Sequence, residues 1–312
     1  MKWGIGLLSA ALLLMKPEAA VNGAREAMGQ WYRIVAPSLF PFMALMPLLT
    51  CDEALHLYDA LLGGLTRRVY RLPGAAASAL AIGVLGGSPA GCAAASRVKG
   101  LTRGQYERLA LSACGLSPAF LISGVGAAML GNPALGRRLF VAQVIVQLTM
   151  PALLMPICRN KTPVETAEVG ASGQPVMAVL NVCGYMALFG AIGAAVGELI
   201  GAAPGRVFLC AMDITAGMKT LTVMRAPLPA LSALAGFGGL CVCAQNLSVL
   251  KGIHPAKFVL ARLLAAALEA GLTFLMNIKF SLNNVPDVLP LSCFFACVLA
   301  MPVIVRLKRT VS

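Results

Sequence analysis

Long apolar runs, punctuated by short polar and basic stretches, set the pattern of this 312-residue chain. Trp3 to Met15 predicts a short first helix. Lys16 follows at once and no small-x-small cleavage site is clear, so it reads as retained and not as a signal peptide. Residues 17–33 mix polar and apolar positions and suit an interface, and Ile34 to Thr50 predicts a span containing Pro37, Pro41 and Pro47. Residues 52–72 place leucines among charges, the pattern of an amphipathic interfacial helix. Residues 74–98 are apolar but broken by Gly83, Gly86, Gly87, Pro89 and Gly91. Thr102 then caps a charged helix holding Glu107 and Arg108. Ser117-Pro118 opens an apolar run to Gly131, and Leu139 to Cys158 predicts a further span.

Residues 159–176 are the longest polar stretch and read as a linker between a membrane half at 1–158 and another at 177–312. In the second half Met177 to Ile200 predicts a span, and Val207 to Met224 is apolar with Asp213 and Lys219 inside it. Leu228 to Leu250 is broken again, Lys257 to Ile278 spans, and Leu289 to Val305 precedes a basic tail. At an offset of 152 residues Gly86, Gly87, Ser96, Lys99 and Gly100 fall on Gly238, Gly239, Ser248, Lys251 and Gly252, and Tyr106 falls on Phe258. Broken apolar segments at matching places in two halves point to a transport site. The predicted fold class is therefore an all-α polytopic membrane protein of two related halves, each with a re-entrant hairpin. Basic residues flank both broken segments alike, which opposes a simple inversion of the halves.

Composition agrees with a membrane class. The chain is 59% hydrophobic and 12% charged, with mean hydropathy +0.82, where soluble domains carry about 25% charged residues. A barrel would need short alternating strands, which are absent from the pattern. The net charge of +13 does not indicate nucleic acid, because the basic residues sit at the ends of apolar runs. Ten cysteines are scattered without a CxxC, and His56 and His254 are the only histidines. No metal site, cofactor or His-based triad is expected.

Several residues carry candidate chemistry. Asp213 and Thr215 share one apolar run, and they face one way only if the helix unwinds locally, for which Gly217 is the candidate. Asp213 is read either as a substrate or proton-coupling group or as the ion-pair partner of Lys219 or Arg225. Gln245 and Asn246 offer amides to a polar solute or to neighbouring helices. Gly87 and Ser88 free backbone amides for an anion or allow tight packing, and Ser117 opens a half-helix or caps an ordinary one. Glu198, Glu269, Gln143 and Gln147 read as structural polar groups.

These motifs resemble the YlbJ-like sporulation integral membrane proteins, related to the nucleoside-recognition (Gate) domain family. The resemblance rests on Pro37-Ser38-Leu39-Phe40-Pro41-Phe42, Gly87-Ser88-Pro89-Ala90-Gly91 and Ser117-Pro118-Ala119-Phe120. In the second half it rests on Asp213-Ile214-Thr215-Ala216-Gly217 and on Phe237-Gly238-Gly239-Leu240-Cys241-Val242 with Gln245. It implies a transporter in the membrane around the developing spore, with dipicolinic acid as cargo and two hairpins meeting at the substrate. The sequence departs from that pattern at Gly86-Gly87-Ser88-Pro89, which lacks an aromatic, at Cys114 and Gly115 in place of asparagine, and at Asp213 in place of glutamate.

The expected partners are thus a small organic anion and the lipid bilayer, with no nucleic acid and a homo-oligomer left open. Other readings are a nucleoside or small-solute transporter and a non-transporting scaffold for the spore envelope. No catalytic motif is present, so no enzyme activity is expected.

Overall fold

A computed structural model of the chain describes residues 2–49, 51–88, 90–164 and 175–282. The expected last span, the basic tail, Pro89 and most of the linker lie outside the described residues. The fold is helical: among the described residues there is no strand, only an isolated bridge between Thr102 and Pro163.

The helices are α1 (Lys2–Met15), α2 (Pro17–Gln30), α3 (Ala36–Leu49), α4 (Asp52–Arg68), α5 (Ala76–Leu85), α6 (Ala90–Arg97), α7 (Arg103–Ser112) and α8 (Pro133–Leu153). They continue with α9 (Pro175–Ile200), α10 (Ala202–Met212), α11 (Ile214–Val223), α12 (Leu228–Phe237), α13 (Gly239–Val249) and α14 (Pro255–Leu282). Two π-helical stretches, Trp31–Val35 and Ala119–Met129, join α2 to α3 and lead into α8.

Among the described residues, three stretches are long and apolar enough to cross a membrane: Val179–Ile200, Leu228–Val249 and Pro255–Asn277. Two expected spans are not among them. The first, at 34–50, falls on the end of one continuous helical run made of α2, the π-helical stretch and the 14-residue α3. The second, at 139–158, belongs to α8, which starts earlier and takes in Arg137 and Arg138. Leu7, Leu14, Val207, Leu260 and Phe274 are exposed apolar side chains, as lipid-facing positions would be.

Small residues let the helices approach. A Cβ on Gly23 of α2 would lie 2.4 Å from the Gly190 carbonyl of α9. One on Gly236 of α12 would lie 2.7 Å from the Ala266 Cα of α14. Helix association in lipid relies on such close packing.

The offset found in the sequence reappears in the helix bounds. Helices α5 and α12 start 152 residues apart, at Ala76 and Leu228, and end 152 residues apart, at Leu85 and Phe237. Helices α6 and α13 end at the same spacing, at Arg97 and Val249, and α7 and α14 begin at it, at Arg103 and Pro255. Gly87 and Gly239 are both left-handed, with φ of 69° and 78°. Ser96 donates to the Ala93 carbonyl at 2.9 Å, and Ser248 to the matching Gln245 carbonyl at 2.7 Å. The two stretches also differ. Helices α5 and α6 pack on each other, whereas α12 and α13 barely touch and α12 lies along α14. Residues 114–117 are not helical, whereas residues 266–269, at the same offset, lie inside unbroken α14.

Candidate functional site

Four helix breaks meet in the middle of the fold. The first lies between α5 and α6. Gly86 closes α5 by donating to the Ile82 carbonyl at 2.7 Å, and Gly87 then turns left-handed. A Cβ on Gly87 would sit 2.5 Å from the backbone nitrogen of Ser117, so only glycine fits without displacement. Ser88 donates its backbone N–H to the Gly115 carbonyl at 2.6 Å and its hydroxyl to Asn246 Oδ1.

The second break, Ala113 to Ser117, follows α7. Thr102 starts α7 as expected, in a capping box closed by Gln105. Where α7 ends, side chains take over the freed backbone groups. Gln143 accepts from the Leu116 N–H at 2.9 Å and donates to the Leu116 carbonyl at 2.8 Å. Ser117 Oγ accepts from the Phe120 N–H at 3.2 Å, so it caps the next helical stretch and keeps a proton to donate.

The third break is Asp213 itself, with extended backbone between α10 and α11. Its Oδ1 accepts from the N–H groups of Thr215 and Ala216, both at 2.9 Å. Asp213 thus caps α11, and the unwinding expected at Gly217 occurs four residues earlier. Gly217 serves packing instead, since a Cβ there would lie 2.9 Å from the Cys210 Cα. The expected alternative of an ion pair with Lys219 is not what forms, because Lys219 bonds Glu26 of α2 at 2.8 Å. Asp213 is 1% exposed and its Oδ2 has no hydrogen-bond partner.

The fourth break is Gly238-Gly239, both left-handed. A Cβ on Gly239 would be 3.1 Å from the backbone nitrogen of Ile214, so the third and fourth breaks touch. Gln245 and Asn246 follow on α13, both buried, and Gln245 donates to Cys241 Sγ at 3.3 Å.

Ser88, Ser117, Asp213, Thr215 and Gln245 line one cavity of about 50 Å³ with apolar side chains that include Leu39 and Phe120. Asn246 reaches it through Ser88, and Gly87 shapes it through contact with Ser117. The structure therefore gathers all seven sequence-predicted residues at one place. Among the described residues, no lysine or arginine lines the cavity. A volume of about 50 Å³ has room for a few waters or a small ion, while small-molecule sites run to roughly 300–1,000 Å³.

Arg262 of α14 was not anticipated. It is 7% exposed and donates to the Phe237 carbonyl at the end of α12 and to the Cys114 carbonyl in the second break. One guanidinium thus satisfies backbone acceptors at two breaks. The available signal was an arginine five residues after Lys257 in the expected span Lys257 to Ile278. Of the residues expected to be structural, Gln143 binds backbone and Glu198 pairs with Lys16 at 2.6 Å. The buried amide of Gln147 and Oε2 of Glu269 have no partner.

At the outer end of α7, Glu107 pairs with Arg103 at 3.3 Å and with Lys257 of α14. Partial burial pushes its carboxyl up, but bonds and charge from Lys257 and Arg103 outweigh this and hold it below the usual glutamate value.

The chain is similar to the sporulation integral membrane protein YlbJ of Bacillus subtilis strain 168, at 29% identity over 151 residues. That match covers 46% of this chain and 37% of the relative. No protein-family profile matches the chain, and no solved structure does. Fold and comparison together define a helical chain with three candidate membrane-spanning stretches among the described residues, distantly related to an integral membrane protein of sporulation.

Proposed function

We propose that the chain is a sporulation-associated membrane transporter of a small organic acid, with dipicolinic acid as the leading cargo. The supporting observation is the convergence of helix breaks on one cavity, largely apolar, that holds five polar side chains and an unpartnered carboxylate oxygen. Broken helices at membrane depth are tolerated where they line a cavity, and ionisable groups there mark solute or ion pathways. Similarity to a sporulation protein supports the cellular setting, and the membrane around the forespore is the location that follows.

In this reading the chain comprises two related membrane halves whose glycine-broken segments act as gates. Ser88, Ser117 and the backbone beside Gly87 meet the carboxylates of the cargo, and Gln245 and Asn246 meet its ring or second carboxylate. Asp213 would repel an anion, so a proton or cation neutralises Oδ2 when the cargo binds. The cavity must widen several-fold to admit an aromatic dicarboxylate.

One observation favours a second reading. Because no cationic side chain lines the cavity among the described residues, a neutral solute such as a nucleoside suits its chemistry too. Uptake of labelled dipicolinate and of labelled uridine into proteoliposomes containing the purified chain separates the two. Dipicolinate accumulation above protein-free vesicles is expected. Uptake of uridine alone would transfer the assignment to a nucleoside carrier, and uptake of neither would leave the scaffold reading.

A further inference from the structure

Cys92 of α6 and Cys114 of the second break face each other with their sulfurs 2.9 Å apart. Both side chains are buried, at 0% and 2% exposure, and Cys114 Sγ also approaches the Ala110 carbonyl at 2.9 Å. Disulfide sulfurs lie about 2.05 Å apart, so closure needs a movement of less than about 1 Å. The flanking backbone is already held in place. Ser88 N–H bonds the Gly115 carbonyl at 2.6 Å, and a Cβ on Gly91 would lie 2.1 Å from the Ala113 carbonyl.

We propose that Cys92 and Cys114 form an oxidisable dithiol whose disulfide ties α6 to the segment between Ala113 and Ser117. Two S–H bonds are lost and one S–S bond forms. The two protons and two electrons pass to a two-electron acceptor that becomes a hydroquinone. A lipid-soluble quinone is the acceptor class, because sulfurs buried in an apolar interior are out of reach of water-borne oxidants. The tie joins α6, which begins two residues after Ser88, to the segment that carries Ser117, so it locks two walls of the cavity together.

The purified full-length chain is treated with menadione and, in parallel, with iodine, which is smaller. It is then unfolded, alkylated with N-ethylmaleimide, digested without reduction and read by mass spectrometry. The expected result with both oxidants is one peptide pair joined through Cys92 and Cys114, released by reductant and absent from Cys114→Ser. Joining by iodine alone overturns the quinone assignment. Alkylated Cys92 and Cys114 after both treatments, or either one joined elsewhere, overturns the dithiol itself.

The effect on transport rests on the function proposed above: oxidised protein loses at least tenfold in uptake, a lipid-soluble hydroquinone or phosphine reductant restores it, and Cys114→Ser does not respond. A cross-link without loss of uptake would sink the lock while leaving the dithiol in place.

Discussion

Replacing Asp213 by asparagine and, separately, by alanine divides its two jobs. Oδ1 caps α11 through two bonds of 2.9 Å, and Oδ2 is buried without a partner. Asparagine keeps an oxygen for the cap and ranks with aspartate as a capping residue. It also removes a buried carboxylate that lacks a cationic partner, a change that is neutral or stabilising. Alanine loses the cap and costs about 1 kcal/mol. Stability in detergent should therefore run Asp213→Asn equal to or above wild type, then Asp213→Ala lower by about 2 °C in Tm for a chain of this size. Solute uptake should follow another order, falling at least tenfold in both variants because neither can hold a proton or cation at Oδ2. Thermal unfolding and proteoliposome uptake on the same preparations read the two orders. An asparagine variant that transports like wild type would refute the coupling role, and an alanine variant as stable as the asparagine variant would refute the cap.

Other consequences follow from the same contacts. Gly87→Ala forces a left-handed residue, at about 1–2 kcal/mol, and drives its methyl into the Ser117 backbone; a Tm within 1 °C or so of wild type would contradict the packing described. Arg262→Met strands the Phe237 and Cys114 carbonyls, at about 1–3 kcal/mol for each buried group, and should lower Tm more than Arg262→Lys does. The carboxyl of Glu107 is held low by its partners, so its stabilising effect is complete above the unfolded value of about 4.3. It is lost as pH falls further, through the folded value. Unfolding curves should show less acid destabilisation for Glu107→Gln than for wild type, and equal acid sensitivity would exclude that pair as a contributor.

The sequence carried the local breaks well. Glycine pairs inside apolar runs, a proline after Ser117 and a matching offset were enough to place the first, second and fourth breaks, because each depends on backbone freedom written into residue type. Asp213 was legible as a buried charge. Its break was misplaced to Gly217 because an aspartate that unwinds a helix by capping the next one looks, in sequence, like any polar residue in an apolar run. What stayed hidden depends on tertiary approach. Arg262 acts on carbonyls from two other elements, and the Cys92–Cys114 contact bridges a turn and a helix. Nor does apolar length reveal that α12 and α13 diverge while α5 and α6 fold back together.

The central claim is that the broken backbone at these four places grips the solute. The most direct test is a cryo-EM structure of the purified chain with dipicolinate. Density for the ligand is expected between Ser88, Ser117, Asp213 and Gln245, in a cavity several times larger than about 50 Å³. Ligand density elsewhere, or helices that run unbroken through Gly87 and Asp213, would contradict it.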